Sequence, residues 1–170
     1  MNNSPIGVYD SGFGGLSVWR EIHRRLPEES LLYLGDGKNC PYGGRSREEI
    51  TAFAREAVGR LIGEGVKMVV VGCNTATTAA VDALRAEWPD IPIVGLEPAV
   101  KPACLSSRTR RIAVLATAHS LQSDMFLNTA RRYAADVEVI KVEGRGFVEL
   151  VEASEEDSPK AEKLVREVVE

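Results

Sequence analysis

Strand-like and helix-like segments alternate along the first hundred residues, and this alternation constrains the fold most. Short apolar runs stand at 6–9 (Ile-Gly-Val-Tyr), 31–34 (Leu-Leu-Tyr-Leu), 68–71 (Met-Val-Val-Val) and 91–94 (Ile-Pro-Ile-Val). Between them lie segments with apolar residues at helical spacing: Leu16, Trp19, Ile22, His23 and Leu26, then Ile50, Phe53, Ala54, Ala57, Leu61 and Ile62, then residues 75–88. Parallel strands need a crossover connection, and a helix is the usual one. The pattern therefore predicts an α/β fold, a mainly parallel sheet with helices on both faces.

The segment 68–80 (Met-Val-Val-Val-Gly-Cys-Asn-Thr-Ala-Thr-Thr-Ala-Ala) puts Cys73 where a buried strand ends and a helix begins. In an open parallel sheet that edge is where ligands bind. A helix N-terminus stabilises a thiolate and so lowers the pKa of a cysteine there. Asn74 and Thr75 add a side-chain amide, a hydroxyl and free backbone N–H groups able to hold a carboxylate. A packed core cysteine fits this stretch equally well.

Other segments put polar groups at the same kind of position. Asp10 follows the first strand and opens a glycine-rich turn, Asp-Ser-Gly-Phe-Gly-Gly-Leu-Ser. That turn lacks the Gly-Lys-Ser/Thr ending of a phosphate loop and does not fit Gly-x-Gly-x-x-Gly. Asp10 reads as an acid–base partner or a helix N-cap. A long Gly- and Pro-dense loop, 35–44, follows the second strand. Pro41-Tyr42-Gly43 fixes a turn within it, with the Tyr42 hydroxyl expected to point into a site or the ring to pack. Ser46-Arg-Glu-Glu49 is a capping box. Glu97 follows the fourth strand. If the sheet is parallel, all these groups emerge on one edge, and such a site could bind a small anion or amino acid and move a proton.

A Pro/Ser/Arg-rich segment, 101–111, reads as a boundary, giving one domain at 1–100 and a second at 101–170. The second series has strands at 112–115 and 137–142, a turn at 116–123 carrying Thr117, and helices at 121–133, 146–153 and from Ser158 onward, with Pro159 in the first helical position. Two strands are too few for a self-sufficient sheet, so the second domain is expected to be incomplete and the chain to be cut short.

Composition removes several function classes. A net charge of -4 over 170 residues gives no case for nucleic acid. No apolar run approaches the roughly 20 residues of a membrane span, and residues 1–6 do not resemble a signal peptide. Three widely spaced cysteines, Cys40, Cys73 and Cys104, suit a reducing cytoplasm. They make no metal-ligand pair with each other or with His23 and His119, so no metal site is expected.

Several stretches together resemble the glutamate racemases of the aspartate/glutamate racemase family: Asp10-Ser-Gly-Phe-Gly-Gly-Leu-Ser-Val18, Pro41-Tyr-Gly43, Gly72-Cys-Asn-Thr-Ala76, Glu97-Pro-Ala-Val-Lys101, Leu115-Ala-Thr117 with Ser120 and Ser123, and Gly146-Phe-Val-Glu-Leu-Val-Glu152. The resemblance implies two α/β domains facing each other across the substrate. It implies interconversion of L- and D-glutamate for peptidoglycan without any cofactor, with one cysteine from each domain acting as base and acid. Cys73 matches the first cysteine. Asp10 matches a carboxylate near the substrate amino group, and Glu152 one that assists the opposite cysteine. Ser11, Pro41, Tyr42, Gly43, Asn74, Thr75 and Thr117 match substrate-binding positions.

Ser120 stands where the family more often has Thr. Asn74-Thr75-Ala76 and Pro41-Tyr42-Gly43 favour the glutamate branch. The resemblance also implies a cytoplasmic protein with glutamate as its partner, and it allows a homodimer. Neither Cys40 nor Cys104 has the context of the family's second cysteine, so these 170 residues alone are expected to be inactive as a racemase. The alternatives are a non-catalytic fragment that binds an acidic amino acid and an aspartate-type racemase.

Overall fold

The computed structural model describes residues 3–169 and divides into two compact units, one running to Leu96 and one from Glu97. In the first, β1 (Ile6–Asp10), β2 (Leu31–Gly35), β3 (Met68–Val71) and β4 (Ile93–Gly95) form a fully parallel sheet in the order β2-β1-β3-β4. The helices α1 (Leu16–Arg25), α2 (Arg47–Gly63) and α3 (Asn74–Glu87) make the crossovers. Side chains alternate across a strand, so β1 feeds both faces. Ile6 and Val8 pack with Val70 against Val18, Trp19 and Ile22 of α1. Gly7 faces the other way, where a Cβ would lie 3.2 Å from Leu61 of α2. β1 and β3 are neighbours, but their helices leave to opposite faces. This is the topological switch point of the sheet, where a crevice opens at the strand C-termini.

The helix starts follow their caps. Ser46 accepts from Glu49 N, and the Glu49 side chain accepts from Ser46 N, as the capping box predicts. The inner stripe of α1 differs from the expected one: Val18, Trp19 and Ile22 face the sheet, while Leu16, His23 and Leu26 are exposed. The helix begins at Leu16, after the glycine turn, and this sets its rotation.

The second unit holds α4 (Val100–Ser106), β5 (Arg111–Ala116), α5 (Ala118–Gln122), α6 (Asp124–Tyr133), β6 (Glu138–Glu143), α7 (Phe147–Glu152) and α8 (Pro159–Val169). β5 and β6 pair in parallel. The core gathers Val100, Cys104, Leu121, Phe126 and Val137. Two expectations change here. The segment read as a boundary contains α4, with Pro102 in its first turn, where no intrahelical donor is needed. The helix expected over 121–133 is broken at Ser123, which ends α5 and caps α6 by accepting from Phe126 N at 3.2 Å. Among the described residues, no helix is long and apolar enough to cross a membrane.

Candidate active site

The switch point brings Asp10, Ser11 and Cys73 together. Asp10 is the last residue of β1, and Cys73 stands two residues past β3. The two strands are joined at this end by Gly72 N donating to Tyr9 O at 2.7 Å. The Cys73 sulfur is the N-cap of α3, accepting from Ala76 N at 3.3 Å. On its other side lies the Ser11 hydroxyl, 3.4 Å away. Asn74 and Thr75 are the first two residues of α3, Asn74 exposed and Thr75 buried.

Asp10 is 6% exposed, and its Oδ2 accepts from Gly12 N at 3.1 Å and Gly15 N at 3.0 Å. Of the two roles open to it, helix capping is only half fulfilled. Gly15 itself is the N-cap of α1, with no side-chain cap, so Asp10 ties the whole turn rather than the helix end. The fit is close: a Cβ on Gly15 would sit 2.5 Å from Asp10 Cβ. Tyr33 holds the same turn from β2 by donating to Gly12 O at 2.6 Å.

The electrostatics of Cys73 correct the sequence expectation of a lowered pKa. Burial pushes the thiol up, and the nearby Asp10 charge pushes it further. The Ser11 hydroxyl and the Ala76 and Ser11 N–H groups pull the other way and are outweighed. The helix-terminus argument holds for a solvated sulfur; this one is 7% exposed. In compensation, a thiolate formed here is a stronger base than an ordinary one.

Tyr42 departs from the expectation that its hydroxyl opens into a site. The ring is 1% exposed, and the hydroxyl is engaged by Asp36 at 2.6 Å and Tyr9 at 2.8 Å. Pro41, which follows a cis peptide bond, is exposed, and Gly43 is half-buried. These two present main chain, not a functional side chain. Tyr9 and Asp36 were not singled out by sequence reasoning, and the one available signal was the place of Tyr9 beside Asp10 at a strand end.

The remaining candidates belong to the second unit. Thr117 caps α5, accepting from Ser120 N at 3.3 Å. Glu152 is the last residue of α7 and is half-buried. Cys104 is buried in the core of that unit, whereas Cys40 lies half-buried in the loop of the first. Glu97 is exposed after β4.

The chain matches the Asp/Glu/Hydantoin racemase model over residues 6–170. It is 49% identical to the glutamate racemase of Stutzerimonas stutzeri over 155 residues, which is 91% of this chain and 59% of that protein. It is 46% identical to that of Ectopseudomonas mendocina over 172 residues, covering 100% of this chain and 65% of the relative. Among solved structures, a glutamate racemase isoform of Bacillus anthracis superposes with a TM-score of 0.87 at 36% identity, over 99% of this chain and 64% of that one. The glutamate racemase of Francisella tularensis in complex with D-glutamate gives 0.83 at 29% identity, over 98% and 62%. This chain thus spans about three-fifths of the length of the relatives it matches. With Cys73, Asp10 and Ser11 gathered at the switch point of an α/β sheet and a family model matched over residues 6–170, the chain belongs to the Asp/Glu/Hydantoin racemase family.

Proposed function

We infer that this chain carries one half of a cofactor-independent glutamate racemase, and that Cys73 is its proton-transfer group. The observation that supports this most is the surroundings of the sulfur: buried, flanked by the Ser11 hydroxyl and the Ala76 N–H, and close enough to feel the Asp10 charge. A thiolate there accepts two hydrogen bonds, so the anion is supported when it forms. In one direction the Cys73 thiolate takes the α-proton, and the S–H bond forms as the C–H bond breaks. In the other direction the thiol returns its proton to the α-carbanion.

Asp10 lies where it would attract the substrate ammonium group. The start of α3, at the exposed Asn74 and the buried Thr75, offers N–H groups to a substrate carboxylate. Ser11 and the main chain of Pro41, Tyr42 and Gly43 complete the substrate contacts assigned to this unit. Thr117 is assigned to substrate binding and Glu152 to proton transfer on the opposite face, following the resemblance. The product, D-glutamate, supplies peptidoglycan synthesis, and the reaction belongs in the cytoplasm, where Cys40, Cys73 and Cys104 stay reduced.

A second base is needed to invert the α-carbon. Cys104 is enclosed in the second unit's core, and Cys40 belongs to the same unit as Cys73 and lacks the sequence context of the family's second cysteine, so neither is assigned that role. The 170 residues by themselves should therefore exchange the α-proton of one enantiomer and not invert it. Incubation of L-glutamate, D-glutamate and L-aspartate with the chain in D2O tests this, with chiral chromatography reading inversion, mass detection reading α-deuterium and calorimetric titration reading binding. Inversion of glutamate would mean a second base within these residues. Binding of glutamate without any exchange would favour a non-catalytic binding unit. Preferential action on aspartate would move the chain to that branch.

A further inference from the structure

The 36–43 loop is tied down by side chains that proton transfer at Cys73 does not use. Tyr9, on β1, is fully buried, and its hydroxyl lies 2.8 Å from that of Tyr42. Tyr42 gives its single proton to Asp36 Oδ2 at 2.6 Å. A hydroxyl has one proton to give, so Tyr9 is the donor to Tyr42. Asn39 Nδ2 donates to both Asp36 oxygens, at 3.0 and 2.9 Å. Asp36 N then donates to Asp10 O at 2.9 Å. The bonds close a circuit. It leaves β1 through the Tyr9 side chain, crosses Tyr42 to the Asp36 carboxylate, and returns through the Asp36 main chain to Asp10, the next residue after Tyr9.

This circuit is built for stiffness rather than for proton release. Burial pushes both tyrosine hydroxyls well above their ordinary range, so both stay neutral donors. The Tyr42 ring lies 5.6 Å from that of Phe53 on α2, which removes its remaining freedom. The loop's own main-chain bonds run through the same residues, with Cys40 N donating to Asp36 O at 3.2 Å and Arg45 N to Tyr42 O at 3.0 Å.

We propose that Tyr9 and Asp36 are positioning residues that fix the 41–43 main chain beside Asp10, using the Tyr42 hydroxyl as a shared anchor and not as a substrate contact. The proposal rests on the racemase reading of the site, in which the 41–43 main chain meets the substrate. It requires the tyrosine at position 9 to act through its hydroxyl, and the Asp36 side chain to accept on both oxygens. An amide cannot do the latter, because its nitrogen only donates.

The test uses Tyr9→Phe, Asp36→Asn and the double variant, read in two ways. The first is amide hydrogen exchange of residues 39–45, with residues 76–84 as internal reference. The second is glutamate-dependent α-proton exchange in D2O, resolved into half-saturating concentration and maximal rate. Each single variant should speed local amide exchange by about tenfold or more over the reference segment. Each should raise the half-saturating glutamate concentration by roughly fivefold and leave the maximal rate within about twofold, since uniform binding is what is lost. The double variant should be no worse than the poorer single one, because both act through one hydroxyl.

Unchanged local amide exchange would overturn the proposal. So would a fall in maximal rate at constant half-saturation, which would place these residues in the chemistry itself. Additive effects would show that the two act through separate anchors, and would overturn it as well. If the native chain does not act on glutamate, the racemase reading fails and the amide-exchange arm alone decides the positioning role. Should Asp36→Asn not fold, the isosteric Tyr9→Phe carries the test.

Discussion

The turns that carry Cys73 and Thr117 are built alike and housed differently. In each, a parallel strand ends, a residue in extended conformation stands one or two positions on, and its side chain caps the next helix by accepting from the N–H three residues on. β3 is flanked by β1 and β4, and Val69 and Val71 on it are fully buried. β5 pairs with β6 alone among the described residues, and its burial alternates, leaving Leu115 47% exposed. The same local grammar therefore gives a dry sulfur in one place and a half-buried hydroxyl in the other. Local sequence sets the cap, and the number of layers around the strand sets its electrostatics.

Core truncation should separate the two units most strongly. Leu84 of α3 is 1% exposed, and Leu84→Ala should cost about 2–5 kcal/mol in urea denaturation. Leu115→Ala, on the open face of β5, should stay within about 1 kcal/mol. Similar costs at both sites would break the contrast. Next in size is Gly15→Ala. Its backbone is already helical, so the penalty is steric, from a Cβ meeting Asp10 at 2.5 Å. We expect about 1–3 kcal/mol from overpacking, and a loss of α-proton exchange on the order of 10²-fold as Asp10 is displaced. Thr117→Ala removes a cap from the more open turn and should cost about 0.5–2 kcal/mol, visible as faster amide exchange in α5.

The smallest effect is a pH slope. The Cys73 thiol titrates higher in the folded chain than the ordinary value of about 8.5. As pH rises past that value the unfolded chain loses its proton first, so the native state binds more protons and stability falls. Below that value both states are protonated and the group contributes no slope. Cys73→Ala should flatten the decline in urea midpoint as pH rises above about 8.5. An unchanged slope would mean that the sulfur is better solvated than its surroundings indicate.

The first sheet was legible because its strands are short apolar runs ended by glycine or a polar group, and because the helices between them carry their own caps. The Cys73 turn was legible for the same reason. What escaped reading was either locally ambiguous or set by contacts across the chain. Helix α4 hid behind Pro102, since a proline in a first turn and one between segments look alike in sequence. The break at Ser123 was invisible because apolar spacing continues through it. The direction of the Cys73 pKa was misread because a dipole argument counts the helix end and leaves out the layers that dry the sulfur. The Tyr9–Tyr42 bond joins residues 33 positions apart and has no local signature.

The central claim is that Cys73 transfers the α-proton of glutamate. The most direct measurement is deuterium incorporation at the α-carbon of L- and D-glutamate in D2O, for the native chain and for Cys73→Ala. The account predicts exchange of at least one enantiomer by the native chain, and a loss on the order of 10²–10⁴-fold in Cys73→Ala. Exchange that survives in Cys73→Ala, or a native chain that exchanges neither enantiomer, would contradict it.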